Sequence, residues 1–153
     1  MARLDQLFEP LRSHLRALEC PTFQTHPWME GPPLNQRRVS IISTAGLHHR
    51  EDRPFSPMSG EYRIIPGQTK ANDLVMSHVS PNFDRTGFQE DWNVVFPLDR
   101  LNEISDQGII GSVAEFHYSF MGATDPKNME APARELSGLL KKDQVNSVLL
   151  VPV

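Results

Sequence analysis

Cysteine is almost missing from the chain: Cys20 stands alone among 153 residues. A single thiol forms no internal disulfide and no CxxC redox or metal pair, so redox chemistry needs another group. Positive charge is also scarce. Lys and Arg number 15 against 19 Asp and Glu, for a formal net charge of −4. Arg37-Arg38 and Lys141-Lys142 are only small local clusters, and without a broad basic field nucleic acid is not an expected partner. No run approaches the roughly 18 apolar residues of a membrane span. Met1-Ala2-Arg3-Leu4-Asp5 also lacks the apolar core of a signal peptide, so no membrane is expected as a partner and the expected localisation is cytoplasmic. G-x-S-x-G, the P-loop, G-x-G-x-x-G and H-E-x-x-H are absent, and with them the signatures of common hydrolase, nucleotide and zincin chemistries.

What is present fits one globular domain with a real core, at 39% hydrophobic and 22% charged residues. Leu4, Leu7, Phe8, Leu11, Leu15 and Leu18 make a helical pattern interrupted early by Pro10. It ends at Cys20, which reads as a packed structural thiol before Pro21, with thiolate chemistry as the alternative. Pro21, Pro27, Pro32 and Pro33 then mark a surface-wrapping arm. The organisation is therefore an N-terminal helix and Pro-rich arm over 1–37 and an α/β domain over 38–153, within one compact unit.

Arg38–Thr44, mostly apolar and β-branched, suits a central parallel strand. Leu47–Arg53 reads as the loop after it. Glu61–Ile65, stopped by Pro66-Gly67, and Asp73–Val79 are further strands, and Asn93–Pro97 is a short extended run. Leu98–Ser105 has apolar residues three apart and ends before Gly108, a good helix stop. Ile109–Ala114 leads to a strand over Glu115–Gly122, in which His117 and Ser119 share one face and Phe116, Tyr118 and Phe120 the other. Pro126 and Pro132 precede a helix with Ala133, Leu136, Leu139 and Leu140 on one face. Ser147–Val153 reads as a buried strand that completes a parallel strand, helix, strand unit. The predicted fold class is α/β, a mostly parallel sheet with helices on its faces. It is expected to be incomplete at the C-terminus, because the loop leaving such a strand is where ligands and reactive groups sit.

Three clusters can carry chemistry. In Thr44-Ala45-Gly46-Leu47-His48-His49 a small-residue turn brings backbone and imidazole to the carboxyl edge of the sheet. The His pair is either a solvated surface feature or a ligand-binding or proton-transfer group. Ser77-His78 with Asp84, Asp91 and Asn93 gathers imidazole and carboxylates around one polar loop, fit for a divalent metal or an ammonium group. Asp84 and Asp91 serve equally well as caps of turns and helix starts. His117 is the third, with a hydrogen-bonded histidine at the sheet edge as its plain reading.

Val39–His48, Ser77–Asp84, Asp91–Leu101, His117–Gly122 and Val148–Val153, taken in order, resemble the selenoprotein B component of the glycine, sarcosine, betaine and D-proline reductases. The resemblance runs from about residue 38 to residue 153, and its length is closer to the short D-proline type. It implies that a closing strand like Val148–Val153 is followed directly by selenocysteine, or by cysteine in some members, with a second cysteine shortly after. Because UGA encodes selenocysteine and ordinarily reads as stop, the sequence is expected to be a truncated selenoprotein; a genuine stop in a shortened paralogue is the alternative. The intact protein would be an oxidoreductase subunit for reductive C–N cleavage of a small amine or amino acid. A pyruvoyl group on a partner subunit would activate the substrate, and a thiol reductant would be a further partner. A selenol is more acidic than a thiol, whose pKa is about 8.5, so it is an anionic nucleophile at neutral pH. The chain itself then holds no cofactor and no metal, lacks the nucleophile and is expected to be inactive. His48, His78, Asp84 and His117 lie in the family-like segments, and the resemblance makes them candidates for orienting substrate or passing a proton to the leaving amine, His78 first. A non-catalytic interaction or scaffold subunit, and a metal-dependent enzyme using His78, remain as alternatives.

Overall fold

The computed structural model describes residues 4–19, 22, 24, 28–80 and 85–153. Cys20 and Asp84, both singled out from the sequence, lie outside the described residues. After a 3-10 turn at Leu4–Gln6, helix α1 (Glu9–Ala17) takes Pro10 in its first turn, where a missing N–H costs nothing, and buries no residue.

The apolar run at 38 forms β1 (Arg38–Ser43), the centre of the sheet. Along one edge β1 pairs in parallel with β7 (Ser147–Val151), from Val39↔Ser147 to Ser43↔Val151. Along the other it pairs in parallel first with β5 (Ser112–Val113) and then with β6 (Phe116–Phe120). Outside β6 lies β3 (Tyr62–Pro66), antiparallel. The sheet is thus mostly parallel, as its apolar strands predict, with one antiparallel edge. The segment expected to be a loop at 47 instead begins with β2 (Leu47–His49), which pairs antiparallel with β4 (Leu74–Met76) in a ladder of its own.

Each face of the sheet carries a core. On one, Phe116, Tyr118 and Phe120 pack with Ile42 and Tyr62 against Met129, Leu136, Leu139 and Leu140. Those last four belong to helix α4 (Pro126–Lys142), N-capped by Asp125, whose side chain accepts from Lys127 N at 2.9 Å. Ala133, assigned to the packing face from spacing, is exposed. Pro132 lies inside α4 instead of before it. Proline has no N–H to offer the Asn128 carbonyl one turn back, and the segment before β3 packs there: a Cβ on Gly60 would stand 1.9 Å from that oxygen.

On the opposite face Val39, Ile41, Leu47 and Ile65 pack with Trp92, Phe96, Leu98 and Leu101. The run at 93 is not extended. Asp91 caps a 3-10 turn, Trp92–Val94, by accepting from Asn93 N at 2.9 Å, and Trp92 Nε1 donates to Asp99 at 2.7 Å. Helix α2 (Thr86–Glu90) precedes that turn; α3 (Leu98–Asp106) follows it and ends at Gly108, whose φ of +69° makes the left-handed stop expected there.

The closing strand is exposed, contrary to its composition. Val148, Leu149 and Leu150 are 37%, 39% and 68% exposed, and among the described residues nothing pairs with the outer edge of β7. An apolar run reports a strand suited to cover on both faces; Val151 packs against the core, while among the described residues no element covers Val148, Leu149 and Leu150 to the same degree.

Candidate functional site

The carboxyl ends of β1, β6 and β7 meet at one edge, where parallel α/β sheets place reactive groups. Beyond β1, Thr44 N donates to Val151 O at 3.1 Å and Gly122 N donates to Thr44 O at 2.8 Å. The Thr44 hydroxyl accepts from Val153 N at 2.8 Å and lies 3.3 Å from Val153 O, to which it donates. Gly122 leaves room for this clasp: a Cβ there would stand 2.7 Å from Val153 O and 3.0 Å from Thr44 Oγ1. Residue 153 is therefore held from both sides at the end of the sheet. The clasp joins positions 109 apart, and no local pattern marks it in the sequence.

Gly46 carries the chain off this edge. Its φ is +67°, and a Cβ would stand 3.0 Å from the backbone nitrogen of His78, so glycine is required twice over. Ser77 N donates to Gly46 O at 3.0 Å, extending the β2–β4 ladder, in which His48 faces Val75. The structure thus brings the His48 and His78 segments side by side. Both rings are buried, at 3% and 4% exposure.

His78 Nδ1 accepts from Ser80 N at 3.2 Å. Burial, and then the positive charge of Arg85, hold its pKa below the ordinary imidazole value. Arg85 itself donates to the His78 carbonyl. His48 differs at Nδ1, which donates to the His49 carbonyl at 2.7 Å; its Nε2, like that of His117, has no hydrogen-bond partner among the described residues. Phe55 packs edge-on to this ring with centroids 6.3 Å apart. Sequence patterns did not single out Phe55, an isolated aromatic between prolines.

His117 stands elsewhere. It is the second residue of β6, fully buried, with its ring edge-on to Phe96 at 5.8 Å. Between the β1–β5 and β1–β6 pairings, Ile41 N donates to His117 Nδ1 at 2.9 Å, and Ser40 Oγ donates to Phe116 O at 2.9 Å. The imidazole completes the hydrogen bonding of β1 where one neighbour gives way to the next. Burial pushes its pKa down to about 4. Asp91 and Asn93, grouped with His78 in the sequence, are engaged in turn capping with Asp99. Among the described residues no three His, Cys, Asp or Glu side chains are grouped to hold a metal.

Two clefts lie away from the carboxyl edge. One, of about 320 Å³, runs along α4 between Phe116, Tyr118, Leu139 and Lys142; the other, of about 340 Å³, lies between Trp28, Arg37 and Ser147. Among the described residues no helix is long and apolar enough to cross a membrane.

Parallel strands that converge on a clasped backbone, with helices on the sheet and the buried imidazoles of His48 and His78 on adjoining segments, define the class: an α/β domain with a mostly parallel sheet. Comparison with known proteins then places it. The family model described as glycine/sarcosine/betaine reductase selenoprotein B matches residues 56–153, and the chain belongs to that family. It is 31% identical over 121 residues to the D-proline reductase subunit gamma of Acetoanaerobium sticklandii, covering 76% of this chain and 49% of that one. It is 35% identical over 140 residues to the glycine reductase complex component B subunit gamma of Symbiobacterium thermophilum, covering 85% and 32%. The sarcosine reductase complex component B subunit beta of Peptoclostridium acidaminophilum is 27% identical over 122 residues, covering 76% and 28%. The chain thus matches about half the length of the first relative and about a third of the others. No solved structure matches it.

Proposed function

We propose that the chain builds the nucleophile-bearing sheet edge of a cytoplasmic component B subunit, in an amine or amino-acid reductase that cleaves a C–N bond. The nucleophile of the intact protein is then a selenocysteine, or a cysteine in its place, directly after Val153. The observation that carries this reading is the clasp: Thr44 and Gly122 hold Val153 at the carboxyl edge, so a side chain one position on starts from a fixed backbone, as positioned nucleophiles require.

A pyruvoyl group on a partner subunit would withdraw electrons from the substrate's amine. The unpartnered, buried acceptor on His48 fits an amine-bearing substrate at this edge. This chain's own residues then have three tasks. Thr44 orients the backbone leading to the nucleophile, Gly46 keeps the two histidine segments together, and the buried imidazoles of His48 and His78 can hold or move a proton near the leaving nitrogen. His78, with Nδ1 accepting, is neutral with its proton on Nε2, the form of a hydrogen-bond donor.

The coding sequence past codon 153 tests the reading. An in-frame UGA with continued coding and a nearby cysteine is expected; UAA or UAG overturns it. The exposed apolar edge of β7 favours a second reading, an interaction subunit without chemistry of its own. Such a subunit would give an inert thiol when the position after Val153 is made cysteine.

A further inference from the structure

Three buried imidazoles can be told apart by what faces Nδ1. At His78 and His117 a backbone N–H points at Nδ1, so the neutral ring carries its proton on Nε2. At His48 the facing group is the His49 carbonyl, at 2.7 Å. A carbonyl only accepts, so Nδ1 carries the proton and Nε2 presents a bare lone pair. That lone pair is sealed from solvent and receives no hydrogen bond. Among the described residues the buried Nε2 of His117 is unmatched too, but as a donor inside the sheet core; at His48 the unmatched atom is an acceptor, which an incoming N–H can satisfy.

The Phe55 ring packs edge-on against the His48 ring, with centroids 6.3 Å apart. Between residues 51 and 60, Phe55 is the one buried side chain; Glu51, Arg53, Pro54, Ser56, Pro57 and Met58 are all exposed. Phe55 is latched at its backbone, where its N–H donates to Ser77 Oγ at 3.0 Å, and at its ring, over which the Arg63 guanidinium lies 4.5 Å from the centroid. The ends of the segment are held separately, by Asp52 accepting from His49 N at 3.2 Å and Ser59 O accepting from Thr124 Oγ1 at 3.0 Å, so release of Phe55 is a local opening around its ring.

We propose that Phe55 plugs a subsite whose floor is the bare Nε2 of His48, and that this nitrogen accepts a hydrogen bond from the N–H of an incoming amine or ammonium group. The amine rests on the reductase reading; the tautomer and the plug do not. On binding, Nε2 gains the donor it lacks, while Nδ1–H stays on the His49 carbonyl and fixes the ring.

The test uses the 153-residue chain. Long-range proton–nitrogen NMR should report His48 as the Nδ1–H tautomer and His117 as the Nε2–H tautomer, and an Nε2–H His48 overturns the inference. Diethyl pyrocarbonate, with peptide mapping, should modify His48 slowly in the parent and at least about tenfold faster in Phe55→Ala, as loss of a buried aromatic anchor allows. Ser77→Ala, which removes the backbone latch together with the 3.4 Å bond from Ser77 Oγ to the Gly46 carbonyl, gives the same direction if Phe55→Ala does not fold. Unchanged rates in every folded variant overturn the plug. Glycine and betaine then serve as probes, since both carry a carboxylate and only glycine has N–H groups. Glycine should shift the His48 Nε2 resonance and, in the Phe55→Ala background, slow the modification of His48 by diethyl pyrocarbonate; betaine should do neither. Equal responses, or none, overturn the amine acceptor. A glycine response with an inert thiol after Val153 supports this inference and overturns the reductase reading instead.

Discussion

Acid should weaken this fold through His117 before it reaches any carboxylate. The folded imidazole accepts from Ile41 N, lies against Phe96 without solvent, and has its pKa pushed down to about 4 from 6.5. The unfolded chain therefore takes up a proton below 6.5 while the folded one waits until about 4, so the stability present above 6.5 is lost as pH falls between those values. Each pH unit in that window is worth about 1.4 kcal/mol, and the whole window amounts to about 3 kcal/mol. His117→Asn keeps an acceptor for Ile41 N but does not titrate. Urea unfolding of both proteins at pH 7, 6, 5 and 4 should show the parent losing about 3 kcal/mol more than the variant over that range. His78, whose pKa is also lowered, acts in the same direction in both proteins and cancels in the comparison. Parallel pH profiles would refute the reasoning, because they would mean that the ring is already protonated, or reaches water, in the folded state.

Three further outcomes follow from particular contacts. Asp143 holds Arg38 together with the Glu115 and Phe116 N–H groups, at 2.8 and 3.3 Å for the latter two. Asp143→Ala should cost about 3 kcal/mol in urea unfolding at pH 7; since the folded carboxyl is held below its ordinary 3.8, that loss should shrink only as pH falls below 3.8. Gly122→Ala places a methyl group 2.7 Å from Val153 O and should cost about 2 kcal/mol, with the Thr44 and Val153 amide resonances displaced. Leu150 is 68% exposed on the free edge of β7, so Leu150→Lys should reduce self-association in light scattering while moving the urea midpoint little.

Much of the fold was legible because burial leaves a periodic mark. Alternation in Phe116–Phe120 separated the ring-bearing face from His117 and Ser119, and Gly108 marked the end of α3. What escaped were features set by distant partners. Leu47–His49 is too short to announce a strand and becomes one only because Leu74–Met76 lies beside it. The apolar run at 93 turns instead of extending, since Asp91 and Asp99 bind its backbone and Trp92. Pro132 lies inside α4 without ending it, and the Asn128 carbonyl, to which it offers no N–H, faces Gly60. In the site, positions after strand ends pointed to His48 and His78. The clasp of Val153 by Thr44 joins positions 109 apart, and Phe55 is held beside His48 by Ser77, 22 positions on; no spacing encodes either. His117 carried the same residue type in a family-like segment, yet its bond to Ile41 N puts it inside the sheet.

The central claim is that the backbone at Val153 delivers a nucleophile to the carboxyl edge, and it is tested most directly by extending the chain with a cysteine at the next position. Iodoacetamide alkylation followed from pH 5 to 10, in a Cys20→Ser background, gives the pKa of that thiol. A value well below the free-thiol value of about 8.5, moving back up in Thr44→Val, is the result predicted. A pKa at or above the free value, indifferent to Thr44, would contradict the account.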